Sequence, residues 1–133
     1  GKKATWICDL DVPLTPLYIK DFASGLVTLG EHEQAIGQVW HIPTAEPITG
    51  RDFVRMNFKE VERVTKVTAY SHRFVKALGL FWPLAWEGAE MVDQFEIPFI
   101  VDSSKYKHAF GEATVTPYRE GIRQTIVWYR GTK

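Results

Sequence analysis

The sequence of 133 residues contains a single cysteine, Cys8, so no internal disulfide can form. One cysteine is typical of a protein kept in a reducing compartment, and we expect a cytoplasmic location. Excess charge of one sign is also absent, because sixteen Lys and Arg balance sixteen Asp and Glu. A neutral chain lacks the basic field that gathers nucleic acid or anionic lipid, and we expect neither partner. No apolar run reaches the roughly 18 residues of a membrane span, and the first residues lack the apolar core of a signal peptide.

The motifs that hold nucleotides, metals or activated nucleophiles are missing as well. Gly25 and Gly30 have the spacing of a phosphate-binding loop, but Glu31 and His32 follow where Lys and Ser or Thr belong. No Gly-x-Gly-x-x-Gly and no Gly-x-Ser-x-Gly occurs. The four histidines are far apart in the sequence, and Cys8 has no basic neighbour that would lower its pKa. We therefore expect no catalytic, cofactor-binding or metal-binding residue in this chain.

Enough apolar residues are present for a globular core, at 45% hydrophobic and 14% aromatic content, and we predict one domain over residues 1–133. The pattern is typical of a helix-rich α/β fold with short strands. Predicted strands cover Tyr18 with Ile19, residues 38–42 and residues 64–70. Predicted helices begin at Asp21, Thr49, Asp102 or Ser103, and Thr116 with Pro117, and two of them end at Gly30 and Gly111. Apolar residues at helical spacing predict the inner faces of these helices. These residues are Phe22, Leu26 and Val27; Phe53, Met56, Val61 and Val64; and Tyr118, Ile122, Ile126 and Tyr129.

Five segments resemble, in order, the extended short-chain dehydrogenases/reductases of the NAD-dependent epimerase/dehydratase family. They are residues 18–23, 37–43, 47–53, 101–105 and 120–129. The resemblance covers nearly the whole chain but only the C-terminal part of the family. It implies the C-terminal half of that fold without the N-terminal Rossmann half, which holds NAD or NADP and the catalytic Tyr-x-x-x-Lys. Tyr129 and Lys133 share that spacing, which we interpret as a coincidence.

The resemblance also suggests where a substrate would bind. The sugar-nucleotide epimerases of the family carry an Arg for phosphate in the loop before the late strand, and residues 11–15 contain none. We therefore expect a small apolar or weakly polar metabolite, contacted by Pro13, Leu14 and Thr15. Trp82 and Trp86 are one helical turn apart and are predicted as apolar walls of the pocket, with packing in the core as the alternative reading.

Two functional hypotheses follow from these observations. The first is a substrate-binding C-terminal portion of an NAD-dependent epimerase/dehydratase-like oxidoreductase, catalytically incomplete alone, which leaves enzymatic activity undecided. The alternative is a stand-alone module for small-molecule binding or protein association that has lost the catalytic half. A fragment of a larger sheet would expose an unpaired edge and apolar surface, so we predict a homodimer, with domain swapping as one route.

Overall fold

A computed structural model of the chain describes residues 3–7, 9–70 and 96–132. The strands are β1 (Ala4–Ile7), β2 (Pro13–Leu14), β3 (Ile48–Thr49) and β4 (Val67–Tyr70). The helices are α1 (Ile19–Gly30), α2 (Gly50–Glu60), α3 (Ser104–Phe110) and α4 (Tyr118–Gly131), with a 3-10 turn at Glu33–Ala35. Helix outweighs strand in the described part of the chain, so the predicted helix-rich α/β class is confirmed.

The chain divides into two compact units, each built from two stretches of sequence. The first unit comprises Gly1–Leu14 and Ile48–Phe99, and the second comprises Thr15–Pro47 and Ile100–Lys133. The single domain over residues 1–133 stays a prediction.

The strands of the first unit form two short pairs. β1 and β4 are parallel, with Ala4 opposite Val67 and Ile7 opposite Tyr70. β2 and β3 are antiparallel, and the backbone N–H of Phe99 donates to the carbonyl of Pro13 at 3.0 Å. The predicted strand over 64–70 is thus confirmed in its last four residues. A parallel pair needs a crossover connection, and α2 lies between β1 and β4 in the chain.

Helix α2 begins at the predicted position, and its inner face agrees with the prediction only in part. The Thr49 hydroxyl oxygen accepts a hydrogen bond from the Asp52 N–H at 3.2 Å, which satisfies one amide of the first turn. Gly50 and Val54 are the buried residues of the helix, whereas Met56 and Val64 are exposed. The predicted inner face was therefore wrong for Met56 and Val64, whereas Phe53 and Val61 are half-buried. Gly50 lies against the ring of Trp6, which brings this side of the helix inward.

In the second unit, two predicted strands are absent. Ile19 is the first residue of α1, and residues 38–42 form no strand. Asp21 does not cap its own helix. It lies in the first turn of α1, and its two carboxylate oxygens accept hydrogen bonds from the backbone N–H and the hydroxyl of Thr116, both at 2.7 Å. Asp21 therefore ties α1 to the residues just before α4.

Helix α3 has the predicted ends and carries an aromatic cluster. The Asp102 carboxylate accepts from the Ser104 N–H at 2.8 Å, and Gly111, at φ 83°, ends the helix. The ring centroid of Phe110 is 4.9 Å from that of Trp40 and 5.1 Å from that of Tyr106. Tyr106 is almost fully buried, whereas Trp40 and Phe110 are half-buried, so the cluster extends from the core of the second unit to its surface.

Helix α4 buries Gly121 and Ile122 and leaves the last turns exposed. The predicted inward position of Ile122 is confirmed, whereas that of Tyr129 was wrong, since 58% of this residue is exposed. At 14 residues α4 is the longest described helix, and none of the helices in the described ranges is long and apolar enough to cross a membrane.

Glu120 in the first turn of α4 makes the stability of the fold depend on pH. Hydrogen bonds from Arg123 and then Gln124 lower the pKa of this carboxyl from 4.5 to about 2. A carboxyl whose pKa is lower in the folded state stabilises the fold at pH above the unfolded pKa, and this contribution is lost as the pH falls through the folded pKa. We expect the stability advantage over Glu120→Gln to shrink between pH 4.5 and about 2, as measured by urea unfolding. A difference between the two proteins that stays constant over this interval would contradict the expectation.

Candidate functional site

Of the three loop residues predicted to contact substrate, two lie in the first unit and one opens the second. Pro13 and Leu14 form β2, and their backbone is used in pairing with β3 and with Phe99. Thr15 is buried, and its hydroxyl oxygen accepts a hydrogen bond from the backbone N–H of Val101 at 3.1 Å. This hydrogen bond holds the backbone at Val101, three residues before α3 begins.

A cavity of about 360 Å³ lies beside Thr15 in the second unit. This volume is at the small end of the range for metabolite pockets. The walls combine four hydroxyl-bearing residues, Thr15 among them, with three charged residues and four apolar residues. In order, the lining residues other than Thr15 are Thr44, Ala45, Glu46, Pro47, Ile100, Val101, Asp102, Ser103, Ser104 and Lys107.

The charges around this cavity do not favour an anionic ligand. Two carboxylates, Glu46 and Asp102, oppose one amine, Lys107, whose nitrogen is 3.4 Å from a carboxylate oxygen of Glu112. The hydrogen bond from the Ser104 backbone N–H lowers the pKa of Asp102, so this side chain is ionised at neutral pH. Two negative side chains against one positive side chain make this lining unfavourable for a phosphate group.

The loop that forms one wall of the cavity is held by Tyr118. Its hydroxyl donates to the carbonyl oxygens of Ala45 at 3.3 Å and Glu46 at 2.9 Å. Burial raises the pKa of Tyr118, with the Glu46 charge as a smaller cause. The hydroxyl therefore stays protonated and remains a donor at physiological pH.

A second, smaller cavity of about 220 Å³ lies on the inner side of α1. Asp21, Gly25 and Thr28 form one wall, and Ile42 and Tyr106 lie among the other lining residues. Both carboxylate oxygens of Asp21 already accept hydrogen bonds from Thr116. This cavity is below the usual size of a ligand pocket, so the cavity beside Thr15 is the better candidate.

The predicted aromatic walls lie outside the part of the chain that the structure describes, since Trp82 and Trp86 both fall within residues 71–95. The aromatic group that is described, formed by Trp40, Tyr106 and Phe110, was not predicted. Lys105 adds to it, with its amine 4.2 Å from the centre of the Trp40 ring. The spacing of Tyr106 and Phe110 indicated one face of α3, but Trp40 was assigned to a strand and gave no signal of this contact.

The described residues do not fit the pyrophosphate of a dinucleotide. Each described helix longer than two turns carries a carboxylate in its first turn, where a phosphate would bind: Asp21 in α1, Asp52 in α2 and Glu120 in α4. Among the glycines that the structure describes, Gly37 and Gly111 have positive φ, and neither opens a helix. Within the same described ranges, no group of three or more His, Cys, Asp or Glu could hold a metal ion.

Comparison with protein-family models and with curated proteins finds no match. Solved structures do match. The crystal structure of gox2253 superposes with a TM-score of 0.69 at 18% identity, over 96% of this chain and 39% of that chain. The triphenylmethane reductase of Citrobacter sp., crystallised with NADP(H), superposes with a TM-score of 0.61 at 13% identity, over 91% of this chain and 44% of that chain. The likeness is one of fold. The chain spans about two fifths of the length of these neighbours.

The structural neighbours agree with the sequence resemblance at the level of the fold. Part of a reductase that was crystallised with NADP(H) has the arrangement of elements seen in this chain. The mixed α/β class and its partial coverage of a larger fold are therefore confirmed.

Proposed function

We propose that this chain is the substrate-binding portion of an NAD(P)-dependent oxidoreductase, and that a separate cofactor-binding portion supplies the nicotinamide. One observation carries the proposal: the chain superposes over 91% of its length on less than half of a reductase crystallised with NADP(H). The five segments that resemble the epimerase/dehydratase family support it independently, since they fall in the C-terminal part of that family. A single cysteine supports a reducing compartment, the cytoplasm, as its location.

The proposed substrate is a small apolar or weakly polar metabolite. The contacts proposed from the sequence are Pro13, Leu14 and Thr15. Of these, Thr15 lines the cavity described above, whose hydroxyl groups offer one or two hydrogen bonds. Trp82 and Trp86 would supply apolar walls. The balance of charge around the cavity supports a substrate without phosphate.

A first test concerns the cofactor. Calorimetry of the purified chain with NAD, NADP or their reduced forms is expected to give no measurable heat of binding up to millimolar nucleotide, because the described helix starts carry carboxylates. The chain alone is also expected to catalyse no oxidation of reduced nicotinamide. Micromolar affinity for either dinucleotide, or turnover by this chain alone, would contradict the proposal that a separate portion binds the cofactor.

A second test concerns the apolar site, probed with the uncharged fluorophore N-phenyl-1-naphthylamine. We expect saturable binding, and we expect the double substitution Trp82→Ala/Trp86→Ala to weaken it by about tenfold or more, because apolar contact area is lost. The matched control is Trp128→Ala, since Trp128 is an exposed tryptophan on α4. Equal loss in the control and in the double variant would show that the tryptophans at 82 and 86 do not line the site.

A further inference from the structure

Two carboxylates line the cavity beside Thr15, and they come from separate stretches of the second unit. Glu46 belongs to the loop at residues 44–47, whereas Asp102 lies just before the start of α3. Negative charge therefore reaches this cavity from two of its walls.

The charge of Glu46 is not balanced within the described part of the chain. In residues 3–7, 9–70 and 96–132 its carboxylate has no hydrogen bond and no ion pair. The main chain at this position is held in place, because the Tyr118 hydroxyl donates to the Glu46 carbonyl oxygen at 2.9 Å. An exposed carboxylate on a fixed loop is available to a ligand.

Asp102 keeps acceptor capacity, and its own contact decides against an anion. Its carboxylate accepts a hydrogen bond from the Ser104 backbone N–H at 2.8 Å. A carboxylate offers about four lone-pair sites, so others remain for a ligand. An anion at the start of a helix would use the free N–H groups there, and the Asp102 side chain already occupies that place.

The positive charge near the cavity is largely engaged elsewhere. Lys107 is the one cationic side chain of the lining, and its amine is 3.4 Å from a carboxylate oxygen of Glu112. The Ser104 N–H is the main cause of the lowered pKa of Asp102, His41 and His108 are the smallest causes, and neither histidine lines the cavity. A ligand therefore meets two carboxylates and one amine that already has a partner.

The rest of the lining suits a small apolar body with hydrogen-bond donors. Ala45, Pro47, Ile100 and Val101 supply apolar surface, and the hydroxyl oxygens of the threonines and serines can accept hydrogen bonds. An ammonium group has three donors and no acceptor, which matches these oxygens in both charge and hydrogen bonding. A volume of about 360 Å³ limits the body to a single ring or a short chain.

We infer that the weakly polar metabolite proposed for this cavity is a small primary amine, whose ammonium group is held by the carboxylates of Glu46 and Asp102. The inference rests on the proposed function, because it takes the cavity beside Thr15 to be the substrate site.

Three probes with the same ring and different charge test the inference on the full chain: benzylamine, benzyl alcohol and benzoate. A titration at pH 7, followed by the amide signals of Ala45, Val101 and Ser103 in ¹H–¹⁵N NMR, gives each dissociation constant. We expect benzylamine to bind about fivefold more tightly than benzyl alcohol, and benzoate more weakly than both. About 1 M NaCl shortens the Debye length to about 3 Å and is expected to remove most of this preference.

Substitutions that remove one charge assign the preference to its residues. Glu46→Gln and Asp102→Asn are each expected to weaken benzylamine binding by about twofold to threefold and to leave benzyl alcohol unchanged. Asparagine keeps an oxygen for the Ser104 N–H, so the start of α3 is preserved. Lys107→Gln is expected to strengthen benzylamine binding. The matched control is Glu33→Gln, an exposed carboxylate of the same unit that does not line the cavity, which is expected to bind as the unmodified chain does.

Equal affinity for benzylamine and benzyl alcohol, or tightest binding of benzoate, would overturn the amine and leave the cavity as the proposed substrate site. The same loss in Glu33→Gln as in Glu46→Gln would also overturn it, because the attraction would then come from the whole surface. If none of the three probes shifts these amide signals, both the inference and the placement of the substrate in this cavity are wrong. Binding of NAD or NADP by this chain would contradict the proposed function alone.

Discussion

Asp21→Ala is expected to lower the free energy of unfolding by about 3 kcal/mol, because it removes two short hydrogen bonds from Thr116 to the side chain of Asp21. Both bonds are 2.7 Å long and reach a residue 95 positions away in the chain, so they connect the two stretches that build the second unit. The loss also leaves the backbone N–H of Thr116 without this acceptor. Urea unfolding followed by circular dichroism measures the change.

Two variants separate this contact from a general effect of the charge. Asp21→Asn keeps one acceptor oxygen in nearly the same place and is expected to lose about half as much stability. A double-mutant cycle of Asp21→Ala with Thr116→Val isolates the hydroxyl bond, and the coupling energy is expected to be about 1 kcal/mol. If Asp21→Ala unfolds at the same urea concentration as the unmodified chain, Asp21 does not hold the second unit together.

Gly25→Ala is expected to leave the protein about 2 kcal/mol less stable than Gly30→Ala, although both changes add one methyl group to the same helix. A methyl group at position 25 would be 2.6 Å from Cδ1 and 2.7 Å from Cγ2 of Ile42, which is itself buried. At position 30 the added group meets nothing within 4 Å. Alanine favours helix over glycine by up to about 1 kcal/mol. Because both variants replace a glycine of α1 by alanine, the difference between their stabilities reports mainly the crowding at position 25.

Thermal and urea unfolding of the two variants show whether crowding of the added methyl group against Ile42 outweighs the preference of alanine for a helix. Gly30→Ala is expected to be neutral or slightly stabilising. Equal stabilisation by both substitutions would mean that Ile42 moves aside without cost, and that the close approach of α1 to residue 42 does not limit the packing of the second unit.

Sequence reasoning succeeded where a feature depends on neighbouring residues. The start of α2 at Thr49 and the end of α3 at Gly111 are set by a cap and by a glycine with positive φ. Such signals act within one turn of the backbone and can be seen in a short window. The fold class followed from the same local patterns.

Features that depend on distant partners could not be predicted. Asp is a common residue at a helix N-cap, so Asp21 was predicted as one. Its actual partner, Thr116, comes close only in the folded chain. Trp40 lies in an apolar run typical of a strand, but a strand needs a pairing partner, and the residue contacts Phe110 instead. Of the predicted contact residues, Thr15 adjoins a suitable cavity, whose opposite wall comes from residues 100–107.

The spacing of apolar residues correctly predicted that α1 is a helix with one apolar side. The prediction that this side faces inward was wrong. The spacing by itself does not say whether that side meets the rest of the same chain. Phe22, Leu26 and Val27 were assigned to an inner face and are exposed. The inward side is decided by Gly25 and Asp21, whose small or polar side chains carry no weight in a hydrophobic pattern.

The separation of 95 positions between Asp21 and Thr116 also affects how the chain folds during translation. At a synthesis rate of about 5–20 residues per second, α1 waits roughly 5–20 s after its own emergence before its tether from Thr116 is made. During that time α1 lacks the polar contact that orients it, because Thr116 emerges well after the helix itself. Slow translation of residues 48–99 would lengthen this delay without changing any contact in the finished molecule.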